Sequence, residues 1–187
     1  MEYLLSTDNL TKQYKQQKAV NNVSIHVKQG AIYGLIGRNG AGKTTLMKMV
    51  SGLSAPTSGS FSLFGQNASR GGIVMSRVGA LVENPGIYAD MSAYENLHAK
   101  CLALGVRDKN AEQTLLQTVG LADTGKKPAG KFSLGMKQRL GIALALAGDP
   151  DLVILDEPIN GLDPQGIAEV RNTIECLNRE KGITFII

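Results

Sequence analysis

The sequence predicts an α/β fold in which a strand-and-helix core brackets a helical insertion, and three observations point to it. Two short, largely apolar runs, residues 32–36 and 152–155, read as strands buried on both faces, as central parallel strands are. A glycine-rich loop follows the first run and opens a segment of helical period. From about residue 91 to 148 the pattern is mostly helical.

In chain order, residues 23–28 alternate apolar and polar, the period of a strand with one wet face, and His26 falls on that face as a surface residue. Gln29-Gly30 makes a turn into the strand at 32–36. The helix after the glycine-rich loop carries Leu46, Met47 and Val50 on one face, and Gly52 stands where a C-terminal cap would end it. Residues 56–59 (Pro-Thr-Ser-Gly) are turn chemistry, followed by a short strand at 61–64. Helices are predicted at 93–104, at 111–119 ended by Gly120, and from near Ser133 with Met136, Leu140, Ala143 and Ala147 along one stripe. A strand at 152–155, a helix at 166–179 and a strand at 183–187 complete the pattern.

The chain has 187 residues, enough for one domain with a subdomain inserted. Its 43% apolar residues and 22 glycines describe a globular protein with many tight turns. No stretch approaches the roughly 20 apolar residues of a membrane-spanning helix, and the N-terminus lacks a signal-peptide pattern, so the expected compartment is the cytosol. The net charge of +4 is spread without a dense Lys/Arg tract, which speaks against nucleic acid as a partner. Cys101 and Cys176 stand alone, without zinc-ligand spacing.

Residues 37–44, Gly37-Arg38-Asn39-Gly40-Ala41-Gly42-Lys43-Thr44, have the G-x-x-x-x-G-K-[ST] spacing between a predicted strand and a helix. Glycines let the backbone wrap so that its N–H groups converge on phosphate oxygens. The helix N-terminus adds free donors and partial positive charge. Lys43 can reach the β- and γ-phosphates, Thr44 offers a hydroxyl to Mg²⁺, and Thr45 can donate to the α-phosphate. Asp156-Glu157 follows the strand at 152–155, and a carboxylate at that edge points into the crevice where nucleotides bind. Asp156 is the expected Mg²⁺ ligand, through water. Glu157 is the expected catalytic residue, orienting or deprotonating the attacking water.

Residues 132–140, Phe-Ser-Leu-Gly-Met-Lys-Gln-Arg-Leu, narrow the family. They resemble the signature motif of ABC ATPases, usually written LSGGQ, and precede the acidic pair as in that family. Ser133 and Gly135 match, whereas Phe132, Leu134 and Met136 depart. The resemblance implies that Ser133 and the backbone at Gly135 contact ATP bound to the other subunit of a head-to-tail homodimer. Residues 160–163 look like the family's D-loop, which implies that Asp163 lies at the dimer interface. Tyr14 resembles the aromatic that stacks on adenine, although alone it also fits a strand tyrosine packed on the core.

The resemblance implies a P-loop NTPase (RecA-like) core of about residues 1–83 and 151–187, with an N-terminal antiparallel β subdomain. A helical signature subdomain of about 84–150 would be inserted in it, the whole forming one ATPase domain over 1–187. It further implies ATP with Mg²⁺, integral-membrane permease subunits as partners, and a peripheral place on the inner face of the cell membrane.

Two departures stand out. Where most family members carry the Q-loop glutamine this chain has Glu83, which still ligates Mg²⁺ or a nearby water but adds negative charge beside the γ-phosphate. Glu83 resembles the subgroup of bacterial ABC proteins that confer immunity to lantibiotics or bacitracin, so export of an antimicrobial peptide is the expected function. Export of another substrate, or a non-transport nucleotide switch, is the alternative. Second, the family places a switch histidine just past the strand at 183–187. His26 and His98 lie far from that place, so the chain reads as C-terminally truncated, binding ATP but turning it over slowly.

Overall fold

The computed structural model describes residues 3–68 and 73–187. Strands β1 (Tyr3–Tyr14), β2 (Gln17–Val23), β3 (His26–Lys28), β5 (Ser58–Leu63) and β6 (Gln66–Asn67) form an antiparallel sheet of order β2-β1-β5-β6, with β3 also on β1. A second sheet is parallel, of order β4-β9-β8-β7, from β4 (Ile32–Tyr33), β7 (Val78–Leu81), β8 (Leu152–Leu155) and β9 (Thr184–Ile186). Helix α1 (Lys43–Val50) follows β4. Helices α2 (Ala93–Leu104), α3 (Ala111–Thr118) and α4 (Leu134–Leu146) lie in sequence between β7 and β8, and α5 (Pro164–Lys181) links β8 to β9.

The parallel sheet divides the apolar interior in two, and β8 shows how. Val153 and Leu155 join the cluster of Leu97, Leu140, Ile142, Ile174 and Phe185 on the side of α2, α4 and α5. Leu152 and Ile154 join Leu5, Leu10, Met47, Met49 and Leu63 on the side of α1 and the antiparallel sheet. All four β8 side chains are thus fully buried, as an unbroken apolar run demands. Helix α4 packs tightly on β7 at Gly79, where an added Cβ would lie 2.0 Å from the Ala145 carbonyl oxygen.

Local chemistry explains the helix ends. Ser92 and Glu95 form a reciprocal capping box at α2, and Gly105 closes it in the left-handed region. Pro164 starts α5 behind the Asp163 cap, and Gly182 ends it.

Four expectations need correction. The strand at 32–36 is not buried on both faces: β4 is an edge strand, paired only with β9, with Ile32 44% exposed and Ile36 fully exposed. The strand expected across 23–28 is interrupted, Val23 ending β2 and His26 beginning β3, although burial still alternates along it with His26 on the exposed side. Ser58 and Gly59 belong to β5 rather than to a turn, because Ser58 pairs with Thr11. Helix α4 is buried around most of its surface rather than along one stripe, since Gln138, Gly141, Ile142 and Ala145 are buried too.

Among the described residues no helix is long and apolar enough to cross a membrane. Both cysteines are free. His26 is exposed and stacked on Tyr3, while His98 pairs with Glu112 at 2.8 Å, tying α2 to α3.

Candidate functional site

The glycine-rich loop leaves β4 and ends at Gly42, whose φ of 93° places it in the left-handed region. An added Cβ there would lie 2.2 Å from the Ala19 carbonyl oxygen, so β2 presses on the loop where only glycine fits. Arg38, Asn39, Gly40 and Ala41 are exposed along the loop. The first N–H groups of α1 have no intrahelical carbonyl to bond, which leaves them available as an anion cradle. Lys43 folds back over it, donating to the Gly37 carbonyl at 2.9 Å and standing 3.8 Å from Glu157 Oε1. Thr44 and Thr45 are partly buried on the first turn.

The acidic edge faces this cradle. Asp156 follows β8 directly and is 8% exposed, its backbone N–H donating to Leu81 O at 2.8 Å. Its Oδ1 is buried without a hydrogen-bond partner, a costly state for a carboxylate oxygen unless a ligand or ion completes it. Glu157 has φ of 48°, strained backbone for a residue with a Cβ, and its Oε2 accepts from Asn160 Nδ2 at 3.1 Å. Lys43, Asp156, Glu157 and Asn160 line one cavity of about 370 Å³, with Leu35 and Met47 as its apolar wall.

Glu83 lies just past β7, also in the left-handed region with φ of 65°. Its carboxylate accepts from Lys48 Nζ of α1 at 2.5 Å. That hydrogen bond, with the charges on Glu83 and Asp156 adding to it, holds the Lys48 ammonium above its ordinary 10.5 despite some desolvation. The donor set fits Mg²⁺: a hydroxyl at Thr44, an unsatisfied carboxylate oxygen at Asp156, and a second carboxylate at Glu83. Mg²⁺ takes one or two carboxylates and completes its shell with water and substrate phosphates. Among the described residues no group of three or more His, Cys, Asp and Glu occurs that could hold a metal ion by itself.

Thr44, Thr45 and Glu83 are not among the residues that line this cavity, and the remaining candidates also stand apart from it. Tyr14 ends β1, 50% exposed, with the Lys12 ammonium 5.2 Å from its ring centre. Ser133 caps α4, accepting from Met136 N at 3.2 Å, and neither it nor Gly135 lines the cavity at Lys43. Leu134 leans on residues 160–163: a Cβ on Gly161 would sit 2.9 Å from its Cδ2. Asp163 caps α5, its Oδ1 accepting from Gly166 N at 3.0 Å. Sequence reasoning missed Lys48, and it placed Asn160 in the D-loop without foreseeing its contact with Glu157. Asn160, three residues after Glu157, was legible as a nearby polar partner, whereas Lys48 meets Glu83 from 35 residues away and carried no local signal.

A parallel sheet whose strand ends hold a carboxylate pair against a glycine loop and a helix start defines a P-loop nucleotide-binding protein. The family model described as "ABC transporter" matches residues 20–160. The chain belongs to the ABC transporter family, as an ATP-binding protein.

The bacitracin transport ATP-binding protein BcrA of Bacillus licheniformis is 51% identical over all of this chain, which spans 61% of that relative's length. The lantibiotic transport ATP-binding protein SrtF of Streptococcus pyogenes is 45% identical over 98% of the chain and 79% of its own length. Among solved structures, the dimeric post-hydrolysis state of the ATP-binding cassette MJ0796, bound to ADP and phosphate, superposes with a TM-score of 0.87 at 23% identity. That comparison covers 97% of this chain and 86% of the other, a likeness of fold.

Proposed function

We propose that this chain is the ATP-binding and hydrolysing subunit of an ABC transporter that exports an antimicrobial peptide of lantibiotic or bacitracin type, for self-protection or resistance. The observation that carries the ATPase reading is the convergence of Lys43, Asp156 and Glu157 on one cavity beneath the start of α1. The names of the relatives, bacitracin transport and lantibiotic transport ATP-binding proteins, support the peptide class.

In the proposed cycle the loop N–H groups from Gly37 to Thr45, with Arg38, Asn39 and Ala41 flanking, wrap the phosphates, and Tyr14 offers its ring to adenine. Lys43 exchanges the Gly37 carbonyl for phosphate oxygens, a stronger charge-assisted contact. Thr44, Asp156 and Glu83 would hold Mg²⁺, which when bound neutralises charge on the β- and γ-phosphate oxygens. Once Lys43 turns to phosphate, Glu157 is free to orient or deprotonate water, and Asn160 steadies its other oxygen.

Ser133 and Gly135 stand apart from the cavity and are assigned to a different nucleotide. They serve the nucleotide of a second copy in a head-to-tail homodimer, with Asp163 at the interface. About residues 1–83 and 151–187 act as the core and about 84–150 as a helical subdomain that receives the permease subunits. The groove of about 320 Å³ with Val82, Pro85, Tyr88 and Lys100 in its wall is suited to that docking. The protein then sits peripherally on the inner face of the cell membrane.

Equilibrium binding of a fluorescent ATP analogue with Mg²⁺ tests the reading. Lys43→Ala should weaken binding at least tenfold, and Asp156→Asn should remove most of its Mg²⁺ dependence. Binding that is indifferent to both substitutions would overturn the proposal.

A further inference from the structure

Glu83 brings a full negative charge to a place already holding Asp156 and, on the reading above, a triphosphate. The structure supplies a counter-charge. Lys48 lies one helical turn beyond Thr44 on the same face of α1, and its ammonium stands 2.5 Å from Glu83 Oε1. Its side chain is 30% exposed, and it lies within the electrostatic reach of Asp156. Helix α1 is fixed in turn: Met47 and Met49, on either side of Lys48, are buried in the core. The lysine stem therefore springs from a rigid element, whereas Glu83 sits on a loop at positive φ.

We propose that Lys48 is a positioning residue for Glu83, pinning its carboxylate to the phosphate-loop helix and cancelling the charge that a glutamine at the same place would not carry. Glutamate at 83 and lysine at 48 form a matched pair. Lysine alone would add attraction for phosphate, glutamate alone would repel it, and together they leave the field at the γ-phosphate close to that of a neutral side chain. The pair also joins the loop after β7 to the helix that holds the nucleotide, so a change at one is felt at the other.

This inference rests on the nucleotide-binding reading, and a double-mutant cycle separates the two. Dissociation constants for a fluorescent ATP analogue with Mg²⁺ are measured for the unaltered chain, Lys48→Gln, Glu83→Gln, the double variant and Lys48→Arg. Lys48→Gln should weaken binding by about two- to five-fold, the range expected of a partly exposed pair. Glu83→Gln in that background should restore most of the loss, and Lys48→Arg should show little loss. A double variant as weak as, or weaker than, Lys48→Gln would overturn the pairing and leave Lys48 an independent phosphate-attracting charge. Binding absent from the unaltered chain would instead overturn the nucleotide reading, and the pairing role with it.

Discussion

Replacing Gly42 by alanine drives a methyl group to within 2.2 Å of the Ala19 carbonyl oxygen and 3.2 Å of Val20 Cγ2. Neither obstacle is the free end of a flexible chain: one is backbone of β2 and the other is a buried side chain. The backbone penalty comes on top, because φ at Gly42 is 93°. A Cβ in left-handed conformation costs about 1–2 kcal/mol. Overpacking against a fixed neighbour costs about 1–3 kcal/mol more, for a sum of roughly 2–5 kcal/mol. In a chain of this size each kcal/mol moves the thermal midpoint by about 2–4 °C, so Gly42→Ala should melt roughly 4–20 °C lower.

Gly40 supplies the control, since its φ is 81° but nothing lies within 4 Å of an added Cβ. Gly40→Ala should therefore lose only the conformational part, about 1–2 kcal/mol. Thermal and urea denaturation of the two variants, read beside the unaltered chain, measure the difference. Equal losses in the two would refute the claim that β2 dictates glycine at the end of the phosphate loop.

Three further outcomes follow from the packing and the charges. Phe185, fully buried between the parallel sheet and α5, should cost about 3–5 kcal/mol when cut to alanine, read as a lowered urea midpoint. The backbone N–H of Ser92, then its hydroxyl, hold the Glu95 carboxyl below its ordinary 4.5. A depressed carboxyl contributes stability above its unfolded value and loses it as pH falls from about 4.5 through the lower folded value. Glu95→Gln should therefore flatten part of the acid limb of a midpoint-versus-pH curve, and an unchanged limb would refute the capping role. Leu134→Gly removes the side chain that leans on Gly161, so hydrogen exchange in residues 159–162 should quicken while exchange in β8 stays slow.

What the sequence disclosed depended on how local the determining physics was. Helix α2 was legible to the residue, and the structure bounds it with short-range signals, the Ser92–Glu95 box and Gly105. Strand β8 was equally plain, four consecutive apolar residues between two cores having no polar face to confuse the period. Strand β1 went unread even though it is the longest strand. Its pairing shifts register between Leu10 and Lys12 against β2 and between Asp8 and Thr11 against β5, and Asn9 takes a positive φ. A bulge turns side chains out of strict alternation, so buried residues occur in adjacent couples and the period of two disappears.

The site divides in the same way. Lys43 was found by the spacing of the glycine-rich loop, and Asp156 and Glu157 because they follow a buried strand directly. That Asp156 would keep a buried, unsatisfied oxygen could not be read there, since it depends on what packs around the end of β8. The left-handed backbone at Glu83 and Glu157 was equally hidden. Both are non-glycine residues where propensity alone would place glycine or asparagine, and only the folded surroundings hold them there.

The bare flank of β4 has a practical consequence. Residues 31, 33 and 35 spend their backbone groups on β9, so those of Ile32, Gly34 and Ile36 point the other way, beside two uncovered isoleucine side chains. Such a margin is a ready template for one more strand, and two molecules meeting there can zip together without rearranging anything inside.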